Sequence, residues 1–214
     1  MSLTARPQAP IQLHRLDISG HCHRVEALLS ILGLPYELVE VDFAAAAHKT
    51  PEFLAKNAFG QVPVLEDGDV ILSDSNAILV YLASRYDAAG AWLPRDPVHA
   101  ARVQRWLSVA AGQLAAGPVA ARAVKLFRRA ADLAPLHEIA HRLFAVIEAQ
   151  LADTPFLAGP TATIADLAIY AYTAHADEGE LSLETYPRIR AWLSRVEAIP
   201  GFVTMKRARL EALA

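Results

Sequence analysis

The chain reads as an α/β N-terminal domain of order βαβ–ββα followed by an all-α C-terminal helical bundle. Three observations predict this. β-prone runs alternate with helically spaced apolar residues up to Tyr86, and the strand signal ends there. Residues 87–97 hold Gly90, Pro94 and Pro97, chain breakers that mark a linker. The remainder is rich in Ala, which favours helix and close helix packing. The predicted organisation is a flexible arm over 1–10, a first domain over 11–86, a linker over 87–97 and a helical domain over 98–214.

The elements follow in order. Ile11–Leu16 is a short β-prone run. From Cys22 to Leu32, Val25, Leu28, Leu29 and Leu32 recur at helical spacing, and Gly33 with Pro35 stops that helix. Tyr36–Asp42 reads as a second strand, parallel to the first because a helix joins them. A loop over Phe43–Thr50 leads to a short helix near Pro51–Lys56. Val62–Glu66 and Val70–Leu72 form a hairpin around Asp67-Gly68-Asp69. Asp74–Tyr86 is helical, with Ile78, Leu79 and Leu82 inward. Beyond the linker, helices are expected near 98–116, 118–131, 135–152, 163–177, 187–197 and 200–212, and Thr163 to Asp166 resembles a capping box.

Composition excludes several functions. A chain of 214 residues that is 54% hydrophobic can bury a sizeable core. The net charge is −3, and residues 1–86 carry 6 Lys/Arg against 10 Asp/Glu, so neither half argues for nucleic acid. No apolar run looks long enough to span a bilayer, and no signal-peptide core precedes residue 11. Cys22 is the single cysteine, so no intramolecular disulfide forms and a reducing cytoplasm is expected. His137 and His141 stand four apart with Glu138 between them, but two histidines alone do not make a ligand set, and no metal is expected.

The stretch Gly60-Gln61-Val62-Pro63-Val64-Leu65 carries the first functional signal. Pro63 cannot donate to a strand ladder, and a cis Val62–Pro63 bond is one reason for it to stand at a strand start. Such a bond would turn the Val62 N–H and C=O outward, toward a guest peptide. Asp74-Ser75 then opens a helix whose orphan amides and positive dipole end attract a carboxylate. Extended backbone beside a helix N-terminus suits a short peptide bearing an α-carboxylate and an amine.

Ser19-Gly20-His21-Cys22 stands at the first strand-to-helix junction. Ser19 has two readings. It caps the helix, or it donates to a thiolate held there, where hydrogen bonds to charged groups are worth roughly 1.5–3 kcal/mol. Cys22 likewise is an inert thiol in the first turn or one activated by the helix N-terminus for mixed-disulfide chemistry. His48-Lys49 is a solvated loop pair or a second carboxylate contact. Trp106, Ala110 and Gln113 recur at helical spacing, either as core or as the lining of an apolar cleft.

In this order and spacing, Ser19-Gly20-His21-Cys22, Gly33-Leu34-Pro35-Tyr36-Glu37, His48-Lys49, Asn57 to Leu65 and Asp74-Ser75-Asn76-Ala77-Ile78 resemble the glutathione S-transferase family, from about Ile11 to Phe202. The likeness is to cytosolic, theta-, nu- or beta-like bacterial members. It implies a thioredoxin-like N-terminal domain, glutathione as cosubstrate, no metal and a cytoplasmic homodimer. It also implies a detoxifying transferase that conjugates glutathione to a small, apolar electrophile. Carried over by position, Ser75 takes the γ-glutamyl carboxylate, Asp74 the γ-glutamyl amine and Val62 the cysteinyl backbone, while Gln61, His48 and Lys49 lie nearest the glycine carboxylate. Asp74 stands where many relatives carry Glu. Ser19 occupies the thiol-activating position of theta-like classes, and His21 stands where nearer relatives carry Asn, as an assistant to it. Trp106, Ala110 and Gln113 are then electrophile-site candidates. The alternatives implied are glutathione-dependent disulfide or peroxide reduction or dehalogenation, with Cys22 as the redox candidate, and a non-catalytic interaction protein of the same fold.

Overall fold

The computed structural model describes residues 6–208. The chain forms two compact units, one ending at Leu93 and joined by Ile199–Lys206, the other Pro94–Ala198 joined by the residues from Arg207 on. The sequence instead places Ile199–Lys206 in the helical domain. Of the N-terminal arm, residues 6–10 are irregular and residues 1–5 lie outside the described residues.

The first unit is built on β1 (Ile11–Arg15), α1 (Gly20–Ile31), β2 (Tyr36–Glu40), α2 (Pro51–Lys56), β3 (Val64–Asp67), β4 (Val70–Ser73) and α3 (Ser75–Tyr86). The sheet order is β2-β1-β3-β4. β1 pairs parallel with β2 from Ile11↔Tyr36 and antiparallel with β3 through His14↔Val64. The β3–β4 hairpin closes on Asp67↔Val70. Alternation along the strands sorts the side chains by face. Leu13 and Leu65 pair in register and are fully buried, as are Val25, Leu28, Leu29, Ile78, Leu79 and Leu82 of α1 and α3. His14 and Val64 take the opposite face, where Val64 clusters with Val41 and Phe53 and the His14 ring lies edge-on to Phe53. Tyr81 donates to Asp67 Oδ2 at 2.7 Å, and Tyr86 donates to the same oxygen, tying α3 to the hairpin.

Residues 200–206 were expected within a helix over 200–212. Among the described residues after Gly201 there is none. The segment gains more from the first unit than from helical hydrogen bonds. The His23 ring meets the Val203 carbonyl at 2.7 Å and packs edge-on against Phe202, and Lys206 pairs with Asp17. The remainder of that expected helix, from residue 209, lies outside the described residues.

The second unit comprises α4 (Pro97–Val109), a π-helical stretch (Ala110–Val119), α5 (Ala120–Leu126), α6 (Ala134–Asp153), α7 (Ile164–Ala174) and α8 (Pro187–Glu197). Two helices, 98–116 and 118–131, were expected with a break at residue 117. Instead the run is continuous from Pro97 to Leu126, with Pro118 inside the π-helical stretch. A proline in an α-helix clashes with the carbonyl four residues back, and the wider π turn moves that carbonyl away. The helix expected to reach residue 131 ends at Leu126. The run is also long and apolar enough, by length and composition, to cross a bilayer, contrary to the sequence expectation. Its buried residues, Val103, Trp106, Leu107, Leu114 and Ala121, are core of this unit, and a core helix passes the same test.

The predicted capping box is present. Thr163 caps α7, and Asp166 returns to the Thr163 N–H at 2.9 Å. Asp166 is fully buried and also accepts from the Leu157 N–H and the Trp192 indole N–H, each at 2.9 Å. Desolvation raises its pKa, and these hydrogen bonds oppose the rise. A second buried cluster joins Arg122 to Glu178 at 2.7 Å and Glu178 to His175 at 2.8 Å.

Candidate functional site

A cleft of about 280 Å³ lies in the first unit, walled by the first turn of α1, the strap before β3 and the N-terminus of α3. His21, Gln61, Val62, Pro63, Asp74 and Ser75 all line it. Six of the residues singled out from sequence therefore converge on one concavity.

The strap owes its shape to Asn57, Gly60 and Pro63. Asn57 closes an Asx turn by accepting from the Phe59 N–H at 3.1 Å, and its amide donates to the Gln61 carbonyl at 2.8 Å. Gly60 has φ +59, and an added Cβ would lie 2.7 Å from the His48 carbonyl oxygen, so only glycine fits this approach. The Val62–Pro63 bond is cis, as the sequence suggested. Val62 lies ahead of the first ladder pair, His14↔Val64.

At the other wall Asp74 takes φ +70 and caps α3, its Oδ1 accepting from the Asn76 and Ala77 amides at 2.9 and 2.8 Å. Ser75 follows as the first helical residue, so its own N–H belongs to the orphan amides of the helix end. Its side chain is buried. Ser75 Oγ accepts from Arg24 Nη1 at 3.2 Å and sits 3.3 Å from His21 Nδ1. Arg24 also donates to Asn76 Oδ1 at 2.8 Å. Burial first, and then the neighbouring Arg24 guanidinium, lower the His21 pKa from 6.5 to about 3. At neutral pH His21 is an uncharged imidazole.

Ser19 is the N-cap of α1, accepting from the Cys22 N–H at 3.4 Å, and it is not among the residues lining the cleft. Capping uses the acceptor of the hydroxyl and leaves its O–H as a donor, so the two readings of Ser19 are compatible. Of the two readings of Cys22, its burial favours the inert thiol. It is 1% exposed, and burial pushes its thiol up to about 11 against the pull of hydrogen bonds involving Ser19 and the Leu16 backbone. A helix N-terminus cannot activate a thiol that desolvation keeps protonated.

His48 and Lys49 stand beside the strap and not in the cleft lining. The His48 ring stacks on Phe43 at 4.1 Å, and Lys49 Nζ lies 3.4 Å from the Phe59 and Gly60 carbonyls. In the second unit Trp106 and Ala110 are each 1% exposed, and the Trp106 indole N–H is spent on the Leu157 carbonyl at 2.8 Å. Ala110 is core there, whereas Trp106 and the exposed Gln113 both line a groove between α4, the π-helical stretch and α6. Sequence reasoning missed Arg24 and Asn57. Asn57 had a legible signal, the Asn-x-x-Gly turn pattern, but Arg24 sits among apolar positions of an amphipathic helix with nothing to mark it. Among the described residues no group of three or more His, Cys, Asp or Glu could hold a metal ion.

Comparison with known proteins covers parts of both units. A family model described as glutathione S-transferase, N-terminal domain, matches residues 11–84, and one described as glutathione S-transferase, C-terminal domain, matches residues 111–200. The chain is 35% identical over 204 residues to glutathione S-transferase 3 of Zea mays, covering 91% of this chain and 92% of that one. It is similar to the crystal structure of a glutathione S-transferase from Pseudomonas fluorescens, with a TM-score of 0.85, 36% identity, and coverage of 92% of this chain and 99% of that one. A glutathione transferase homolog from Drosophila mojavensis, solved with bound glutathione, superposes with a TM-score of 0.82 at 28% identity over 89% of each chain.

Proposed function

Because the chain belongs to the glutathione S-transferase family, we propose that it is a transferase that binds glutathione in the first-unit cleft and joins its sulfur to a small apolar electrophile. Glutathione is the cosubstrate, and the cleft suits its parts. The α3 N-terminus, with the Ser75 hydroxyl and amide, is a receptor for the γ-glutamyl α-carboxylate. Asp74 supplies a negative charge for the amine. The Val62 backbone beside Pro63 is the edge along which the cysteinyl portion extends, and Gln61 rims the glycine end. The observation that carries the reading is this convergence of a cis-proline strap and a capped helix end on one cleft.

In this reading Ser19 donates its O–H to the glutathione sulfur and lowers its pKa, so the thiolate prevails near neutral pH and the thiol proton leaves to solvent. The thiolate then forms the new carbon–sulfur bond, by addition or by displacing a leaving group that departs with the bonding pair. Neutral His21, in the cleft wall, assists as a hydrogen-bond donor. Buried Cys22 weighs against a dithiol or mixed-disulfide role. A cytoplasmic homodimer with an isologous interface belongs to the same proposal, and sedimentation at two concentrations tests the dimer.

The experiment is glutathione-dependent turnover of an electrophile panel by wild type and Ser19→Ala. Losing one hydrogen bond to a thiolate lowers kcat/KM by about ten- to a hundredfold. Equal turnover removes Ser19 from the role, and absence of glutathione binding by calorimetry removes the proposal.

A further inference from the structure

Arg24 is the most deeply buried cation near the cleft, at 1% exposure, and it does not line it. It lies three residues after His21 on α1, so both side chains leave the same helix face toward the start of α3. One guanidinium nitrogen reaches two successive residues of α3, Ser75 Oγ at 3.2 Å and Asn76 Oδ1 at 2.8 Å. Arginine has no neutral form in a protein and only donates. Ser75 Oγ therefore accepts from Arg24, and its single O–H is left to point away, toward His21 Nδ1 or into the cleft. The guanidinium charge stands one side chain behind a helix N-terminus whose dipole has the same sign.

Resting on the glutathione reading above, we propose that Arg24 is a positioning residue for the γ-glutamyl carboxylate: acting through Ser75, it orients the hydroxyl as a donor toward the carboxylate. It touches no reacting atom. Its effect falls on the glutamyl end of the cosubstrate and not on the electrophile.

The test compares wild type with Arg24→Gln, using glutathione and cysteinylglycine, which lacks the γ-glutamyl residue, as alternative thiol cosubstrates. Glutathione affinity by calorimetry falls about ten- to thirtyfold in the variant, the scale of losing a charge-assisted contact. KM for glutathione rises, KM for the electrophile holds, and the preference for glutathione over cysteinylglycine shrinks by a similar factor. A folded Arg24→Gln protein that binds glutathione like wild type overturns the proposal. So does an equal loss with both thiols, which is the mark of general distortion. If wild type itself does not bind glutathione, the underlying reading fails and takes this one with it. Should Arg24→Gln not fold, as judged by circular dichroism, Arg24→Lys decides. A lysine keeps the charge, but its shorter side chain leaves the ammonium short of the place Nη1 takes between Ser75 Oγ and Asn76 Oδ1, so glutathione KM rises several-fold, and an unchanged KM overturns the proposal.

Discussion

Gly60→Ala and Gly68→Ala form a matched pair that measures how tightly the cleft strap is held. Both glycines have φ +59, so both pay the same left-handed penalty for a Cβ, about 1–2 kcal/mol. Their surroundings differ. A Cβ on Gly68, in the β3–β4 turn, meets nothing within 4 Å. A Cβ on Gly60 lies 2.7 Å from the His48 carbonyl oxygen and 2.8 Å from Lys49 Nζ. The Lys49 contact is with the end of a flexible side chain and relaxes cheaply. The His48 contact is backbone, so strap and turn must separate. That overlap costs about 1–3 kcal/mol, the range for an overpacked site. Gly60→Ala is thus expected to lose roughly 2–5 kcal/mol against about 1–2 for Gly68→Ala. Urea unfolding of the two variants beside wild type reads the difference. Because Gly60 adjoins Gln61 in the cleft wall, glutathione KM should rise several-fold in Gly60→Ala and hold in Gly68→Ala. Equal destabilisation by the two substitutions would refute the argument that the close approach matters.

Two further outcomes follow from buried groups. Asp166→Ala strands the Leu157, Thr163 and Trp192 N–H donors, and an expected loss of about 3–5 kcal/mol, read by denaturant unfolding, is large for one side chain; a loss under 1 kcal/mol would contradict it. His21 titrates near 6.5 when unfolded but near 3 when folded, so as pH falls below 6.5 the unfolded state gains a proton that the folded state refuses, and stability drops. Relative to His21→Gln, wild type should lose about 2 kcal/mol between roughly pH 6.5 and 4.5. A difference that does not change with pH would show that His21 protonates freely in the folded protein.

The parts of the fold that could be read in advance share a cause. Strand and helix limits in the first unit fall within two or three residues of expectation because turn residues at Gly33, Pro35 and Asp67-Gly68 bracket each apolar pattern. Pro63 was legible because a proline opening a strand demands an explanation, and Asp166 because a capping box is local. Contacts from afar are what the sequence hid. The segment after Gly201 keeps an apolar spacing that suits a helix, yet its partners, His23 and Asp17, are about 180 residues away. Arg24 was invisible for the same reason, since its acceptors on α3 lie about fifty residues on. The two readings of Cys22 could not be separated from local position, because desolvation by the surrounding core sets its ionisation. The break expected at residue 117 failed because a π turn absorbs what an α turn cannot.

The return of Ile199–Lys206 to the first unit bears on how the protein is made. A ribosome delivers the N-terminal domain early, but the strand of backbone that the His23 ring grips emerges only after Pro94–Ala198 has been translated. At about 5–20 residues per second that is a delay of roughly 5–20 s. During it the first unit stands on the ribosome without the segment that the His23 ring meets. A nascent chain stalled short of Val203 should therefore expose the His23 face to protease, and release of the last few residues should close it.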